Sequence, residues 1–198
     1  ARPYIGTKEG HFTRTSNRHD YALAPFSKTA LDSLKDAGLD VIGVGKIPDI
    51  FVDQGITRKI KTVSNEDGMN KTIELASDNF NGLAFINLVD FDAVYGHRRN
   101  AAGYGKAIEE FDVQLGKLIN ELKNDDLLMV TADHGNDPTY RGTDHTREQV
   151  PLIIYSKQFN EMKVLNDGDS FGIIGSTICD NFNVKYNGIG SSILELLK

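Results

Sequence analysis

Two short stretches carry most of the residues able to do chemistry. One is Asp90-Phe91-Asp92-Ala93-Val94-Tyr95-Gly96-His97-Arg98-Arg99, and the other is Ala132-Asp133-His134-Gly135-Asn136-Asp137. A third group, Asp144-His145-Thr146-Arg147, follows in a polar loop. Three of the five histidines fall in these clusters, each close to a carboxylate. Carboxylate and imidazole together are ligands of intermediate softness, suited to Zn²⁺ or Mn²⁺. A pair of such ions clamps the entering and leaving oxygens of a transferring phosphoryl group and stabilises its spread negative charge. Asp92, His97, Asp133, His134 and His145 are therefore the candidate metal ligands, making up most of a two-metal phosphoryl-transfer site. Gly96, Gly135 and Gly142 would let the backbone turn tightly around the ions.

The elements around these clusters decide whether they can meet. Residues 40–45 and 82–89 read as short apolar strands, as do 126–131 and 151–156. Helices are expected at 27–37, stopped by Gly38, and at 64–78, with Ser64 and Asp67 as a capping pair and Met69, Ile73 and Ala76 inward. The clearest helix is 100–123, where Tyr104, Ile108, Phe111, Leu115, Leu118 and Leu122 step by four and three. Phe171, Ile174, Ile178 and Phe182 mark a further helix, and a last one closes near 191–197. Strands that are apolar on both faces, alternating with amphipathic helices, predict an α/β fold: a parallel sheet with helices on both faces. Ligands bind beyond the carboxyl ends of such strands. Both Asp/His clusters begin there.

Composition narrows the function classes. At 198 residues the chain suits one domain with at most a small appendage. A net charge of −6 argues against a nucleic-acid surface, which needs a basic stripe. A small anionic substrate stays compatible, since local arginines or metals bind it inside an acidic protein. No run of 18 apolar residues is present, which excludes a helical membrane span. The single cysteine, Cys179, forms no internal disulfide and suits a reducing cytoplasm. Amid Ile178 and Phe182 it reads as a buried hydrophobe.

Taken whole, the motifs resemble the phosphopentomutase family of the alkaline phosphatase superfamily. The resemblance rests on the segment from Asp90 to Asn100, on Thr131-Ala132-Asp133-His134-Gly135-Asn136-Asp137-Pro138-Thr139, and on Gly142-Thr143-Asp144-His145-Thr146-Arg147-Glu148. It extends to residues 12–23 and to Gly45-Lys46-Ile47-Pro48-Asp49-Ile50-Phe51, so it covers essentially the whole chain. It implies an alkaline-phosphatase-like core over residues 23–198, with residues 1–22 as the end of a cap domain. One metal would take Asp92, His97 and His145. The second would take Asp133 and His134 together with an aspartate and a phosphorylated threonine from an N-terminal part. Those two positions have no counterpart here, so the chain is expected to be the C-terminal part of such an enzyme and inactive alone. Thr131, Thr139, Thr143 and Thr146 lie near the motifs, but none matches the family's threonine.

The implied reaction interconverts ribose 1-phosphate and ribose 5-phosphate, and their deoxy forms, in nucleoside salvage. It would use two Mn²⁺, with Zn²⁺ also fitting the ligands, and a bisphosphorylated sugar activator. Arg14, Arg18 and Arg2 are the candidates for gripping the distal phosphate of the sugar, because a guanidinium binds phosphate as a fork. Arg98, Arg99, Arg141 and Arg147 flank the ligands and are expected to pair surrounding carboxylates. Asp144 is expected to orient a histidine; Asp90 and Asp137 are expected to cap or form turns. Lys46 follows a strand and a glycine but lacks the spacing of a phosphate loop. His11 and His19 read as structural or surface residues, and Tyr95, Tyr104 and the phenylalanines at helical spacing as core. Two other readings use the same ligands. One is a different metal-dependent reaction of the superfamily (phosphatase, phosphodiesterase or phosphoglycerate mutase). The other is a domain whose metal only stabilises the fold.

Overall fold

Strand β3 (Asp40–Val44) shows why the chain folds as layers. Its alternate side chains leave in opposite directions, as a pleated strand requires. Val41 joins Leu31 and Leu34 of α1 (Ala30–Asp36), Ile47, Ile56 and Cys179 of α5 (Gly172–Asn181) in one buried cluster. Ile42 and Val44 join Leu75 of α3 (Asn65–Ala76) in a second cluster on the other face. The sequence is apolar at both sets of positions, and both faces of the strand are covered. Burial pushes the Cys179 thiol above its ordinary pKa, in keeping with a packing role.

The computed structural model describes residues 4–14 and 22–197, without the side chain of Arg14. β3 is the centre of a three-stranded parallel sheet between β4 (Arg58–Ile60) and β5 (Gly82–Ile86). Register carries the two-faced pattern across: Val41 stands beside Leu83 in the first cluster, and Val44 beside Ile86 in the second. The protein is thus α/β, a parallel sheet with helices on both faces. α2 (Ile47–Ile50) packs against β3, and α4 (Ala101–Glu121) forms an outer layer on α3.

Helix ends follow their sequence signals. Thr29 caps α1 in a complete capping box with Asp32, so the helix begins at Ala30 rather than at 27. Gly38 closes it at φ +81°, with Gly38 N–H donating to Lys35 O and Leu39 N–H to Leu34 O, a Schellman end that needs the left-handed conformation. Ser64 accepts from Asp67 N–H, while the Asp67 carboxylate accepts from Val63 N–H instead of closing a box. The buried face of α3 is Gly68, Met69, Thr72 and Leu75, one step round from the expected Met69, Ile73 and Ala76. In α4, Ala107 and Leu118 are buried and Ile108 is exposed.

The later strands differ from the expected continuation of the parallel sheet. β6 (Leu128–Thr131) and β7 (Leu152–Tyr155) pair antiparallel with each other, Leu128 opposite Tyr155 and Thr131 opposite Leu152. The reason lies in their connection. Parallel neighbours need a crossover that is usually helical, whereas this connection is a helix-free loop that returns the chain directly. No residue of β6 or β7 is fully buried, although both are apolar along their length. A groove of about 1870 Å³, lined by Leu152, Ile154, Phe171, Ile174, Ile193 and Leu197, runs beside them. α6 (Leu194–Leu197) forms part of its wall. At the start of the chain, β1 (Tyr4–Ile5) and β2 (Thr13–Arg14) form a small antiparallel ladder; the residues from 4 to 13 are exposed. Among the described residues, no helix is long and apolar enough to cross a membrane.

Leu34 is fully inaccessible and belongs to the first cluster, which gathers residues of α1, β3 and α5. Leu34→Ala is expected to cost about 2–5 kcal/mol, read as a lowered urea midpoint with the slope unchanged.

Candidate metal centre

β5 runs into a π-helical turn, Phe91–Gly96. It closes with a five-residue bond, His97 N–H to Asp92 O at 2.9 Å, and a second such bond follows beyond it, Asn100 N–H to Tyr95 O at 3.0 Å. A residue five positions on returns to the same face in such a turn, which an α-helix does not allow. Asp92 and His97 are five apart, and His97 Nε2 lies 3.3 Å from Asp92 Oδ2. The turn is anchored at both ends. Asp90 and Asn65 form a reciprocal clasp, with Asn65 N–H to Asp90 Oδ2 at 2.7 Å and Asp90 N–H to Asn65 Oδ1 at 2.9 Å. Asn100 then caps α4, accepting from Gly103 N–H at 2.9 Å. Asp90 is thus a helix-start partner, as expected.

β6 leads to the second cluster, and a single bridge brings in the third. Gly135 pairs with Thr146, whose N–H donates to Gly135 O at 3.1 Å. The Thr146 hydroxyl in turn accepts from Asp137 N–H at 2.7 Å. His145 is thereby laid alongside His134, their rings stacked at 3.8 Å, and its Nε2 reaches 3.2 Å from Asp92 Oδ1. The Asp137 carboxylate accepts from Thr139 N–H and Oγ1, a turn-forming contact that holds it below its ordinary pKa.

One ligand atom each from Asp92, His97 and His145 all lie within 4.8 Å of one another. Hydrogen bonding fixes which atoms face inward. His97 Nδ1 lies 2.5 Å from Thr143 O, and a carbonyl can only accept, so Nδ1 is the donor there and Nε2 is the ring nitrogen that faces Asp92. Asn136 donates to Asp92 Oδ1 at 2.7 Å. Two imidazole Nε2 atoms beside one carboxylate form a donor set that suits a cation, and carbonyl and amide groups behind them are the usual means of orienting such residues. The residues present therefore fit a divalent metal of the Mn²⁺ or Zn²⁺ kind.

The five expected ligands meet in two unequal groups. Asp92, His97 and His145 form one cluster. His134 joins it by stacking, with Nδ1 3.2 Å from Gly135 O and Nε2 3.7 Å from Asp133 Oδ1; the Asp133 side chain is 72% exposed. Arg14 lies in β2 with its backbone opposite Tyr4, whereas Arg2 and Arg18 lie outside the described residues, as does His19. Arg141 and Arg147 are exposed. Arg99 does not pair a carboxylate as expected; it donates to Asn136 Oδ1 at 2.6 Å and to backbone carbonyls. Asp144 offers its carbonyl to Arg99, and the histidine-orienting contact comes from Thr143 instead.

Three features escaped the sequence reading. Asn136, 9% exposed, holds Asp92; the Asp-His-Gly-Asn string contains it, but nothing there marks which neighbour it serves. Lys46 and Arg98 line a cleft of about 370 Å³ together with Asp92 and His97, a grouping that only the fold creates. Tyr104 and Tyr95 are half-buried rather than core; burial first, then the Asp92 charge, push the Tyr104 hydroxyl above its ordinary pKa.

The chain belongs to the Metalloenzyme superfamily, whose family profile matches residues 4–186. Within it, the chain is similar to phosphopentomutases. It is 58% identical over 199 residues to that of Clostridium botulinum (strain Alaska E43 / Type E3) and 58% identical to that of Agathobacter rectalis. Identity to the phosphopentomutase of Clostridium beijerinckii is 56%. In each case the match covers 100% of this chain and 50% of the relative, so the chain spans about half the length of the curated relatives it matches.

Gly96 and Gly135 are needed for close approach rather than for unusual backbone angles, unlike Gly142 at φ +79°. A Cβ on Gly96 would stand 2.6 Å from Asn136 Nδ2 and 2.7 Å from its Cγ. Gly96→Ala is expected to cost about 1–3 kcal/mol and to push Asn136 off Asp92. Thermal unfolding checks the first effect, and the Asn136 side-chain amide resonances check the second.

Proposed function

We propose that the chain is the metal-binding half of a phosphopentomutase, which interconverts (deoxy)ribose 1-phosphate and (deoxy)ribose 5-phosphate. The observation that carries this reading is the convergence of Asp92, His97 and His145, within 4.8 Å of one another, in a chain similar along its whole length to phosphopentomutases. Those three residues would hold one Mn²⁺, and Asp133 with His134 would contribute to a second. The bound ions would neutralise charge on the transferring phosphoryl group and its flanking oxygens. The chain's own part is to hold the ligands in place through Thr143 and Asn136, and to draw the anionic substrate into the cleft with Lys46 and Arg98.

The rest of the reading depends on the half of the relatives' length that this chain does not span. That part would supply a threonine that carries the phosphoryl group between the two ends of the sugar, and an aspartate for the second metal. The uncovered apolar strands β6 and β7 and the groove beside them support docking of such a segment, since strands apolar on both faces are normally buried. Residues 1–22, including the exposed β1–β2 ladder, would end a cap domain over residues 23–198. Arg14, Arg18 and Arg2 would grip the distal phosphate from that side. A bisphosphorylated sugar would prime the threonine, in the cytoplasm and in the service of nucleoside salvage.

The test uses the polypeptide carrying this chain joined to the segment equivalent to the other half of its relatives. With Mn²⁺ it is expected to convert ribose 1-phosphate to ribose 5-phosphate, and Asp92→Asn is expected to lower turnover by at least about a hundredfold. The 198-residue chain alone is expected to be inactive. Net phosphate release, or turnover of a three-carbon phospho-acid in place of the pentose, would move the assignment to another reaction of the superfamily. Metal-raised melting with no turnover of any phosphate ester would leave a structural metal domain.

A further inference from the structure

Arg99 is a non-glycine residue held at φ +52°, in the left-handed region that side chains avoid. Backbone in that region persists where the surroundings enforce it, and it concentrates at functional sites. Here the surroundings are hydrogen bonds from the guanidinium. Nη1 donates to Gly96 O at 3.0 Å, Asn136 Oδ1 at 2.6 Å and Asp137 O at 2.8 Å. Nε donates to Gly142 O at 2.5 Å, and Nη2 donates to Asp144 O at 2.5 Å. Every acceptor is neutral, so the contacts are directional rather than a simple ion pair.

The acceptors lie on three different segments, and each segment carries candidate ligands. Gly96 belongs to the π turn of Asp92 and His97, Asn136 and Asp137 to the loop of Asp133 and His134, and Gly142 and Asp144 to the loop of His145. None of the three is joined to another by regular secondary structure except through the lone Gly135–Thr146 bridge. We propose that Arg99 is the positioning residue of the metal centre, fixing its three ligand-bearing segments relative to one another without touching metal or substrate. An ammonium could not replace it: Lys has three donors on one atom, whereas the planar fork reaches outward on several sides. The inference deepens the metal-centre reading and rests on it for its consequence, although the bracing of the segments stands on the hydrogen bonds alone.

Arg99→Gly is the informative variant, because glycine accepts the φ of this position and only the guanidinium is lost. Amide exchange of the metal-free chain and calorimetric titration with Mn²⁺ give two readouts. In Arg99→Gly the Thr146 amide is expected to lose protection by at least about tenfold, while Val41–Val44 of β3 keep theirs. Mn²⁺ affinity is expected to fall by about 10–100-fold, and Arg99→Lys is expected to restore neither. Unchanged Thr146 protection, or rescue by Lys, would overturn the proposal. So would loss of β3 protection along with the loop, since Arg99 would then serve general stability. If the wild-type chain bound no Mn²⁺ but Arg99→Gly still freed Thr146, the metal reading would fail and the bracing role would stand. Equal Mn²⁺ affinity in wild type and Arg99→Gly would remove the positioning role while leaving the metal reading intact.

Discussion

Asp92 stands one third exposed between two imidazole nitrogens, at 3.3 Å from His97 Nε2 and 3.2 Å from His145 Nε2. Its Oδ1 also accepts from the Asn136 amide. A carboxylate can accept in several directions at once, and here each direction is supplied by a different part of the chain. The geometry survives only if those parts are fixed by something other than the carboxylate. Backbone carbonyls do this: Thr143 O sets the His97 ring, and the carbonyls bound by Arg99 set the loops. Neutral acceptors are well suited to the task, since they add order without adding negative charge beside a site that is already acidic.

The π turn depends on packing behind it. Phe91 of the turn meets Tyr104 at 5.7 Å and Phe111 edge-on at 6.1 Å, both on α4. The Asp90–Asn65 clasp fastens the same turn to the start of α3. α3 in turn lies over β3 through Leu75. The chain of support therefore runs from a buried parallel strand, through a helix end, to a turn whose five-residue period puts Asp92 and His97 on one face. Support for the turn comes from the sheet, while the 133–146 loops are held by the Gly135–Thr146 bridge and by side-chain hydrogen bonds of Thr146, Asn136, His97 and Arg99.

Much of this was legible in the sequence because two-sided apolar strands and capping residues act locally. Val41, Ile42 and Val44 announce a strand buried on both faces, and Ser64 marks a helix start by side-chain chemistry alone, whereas the cap at Thr29 was missed. The meeting of Asp92, His97 and His145 was legible because Asp and His grouped beyond strand ends lie where such a sheet gathers its polar loops. What stayed hidden was relational. The antiparallel pairing of β6 and β7 follows from a helix-free connection that the apolar pattern does not weigh. The buried face of α3 shifted because Thr72 satisfies its hydroxyl on Gly68 O and is buried with its helix. Lys46 and Arg98 meet only because β3 and β5 are neighbours in register. Arg99 looked like one of several flanking cations, and nothing in its spacing reveals that its partners are carbonyls.

The two ligand groups also differ in how they are held. In the Asp92 group, Asp92 and His97 are partly buried, the carboxylate is hydrogen-bonded and the His97 ring is set from behind. Asp133 is 72% exposed and lies 3.7 Å from its own neighbour's ring, a contact too long to be a good hydrogen bond. An exposed pair of this kind contributes little order by itself. The first group thus has its orientation built into this chain. Among the described residues, Asp133 has no such support at its carboxylate, and it stands two residues beyond β6, a strand with no fully buried residue.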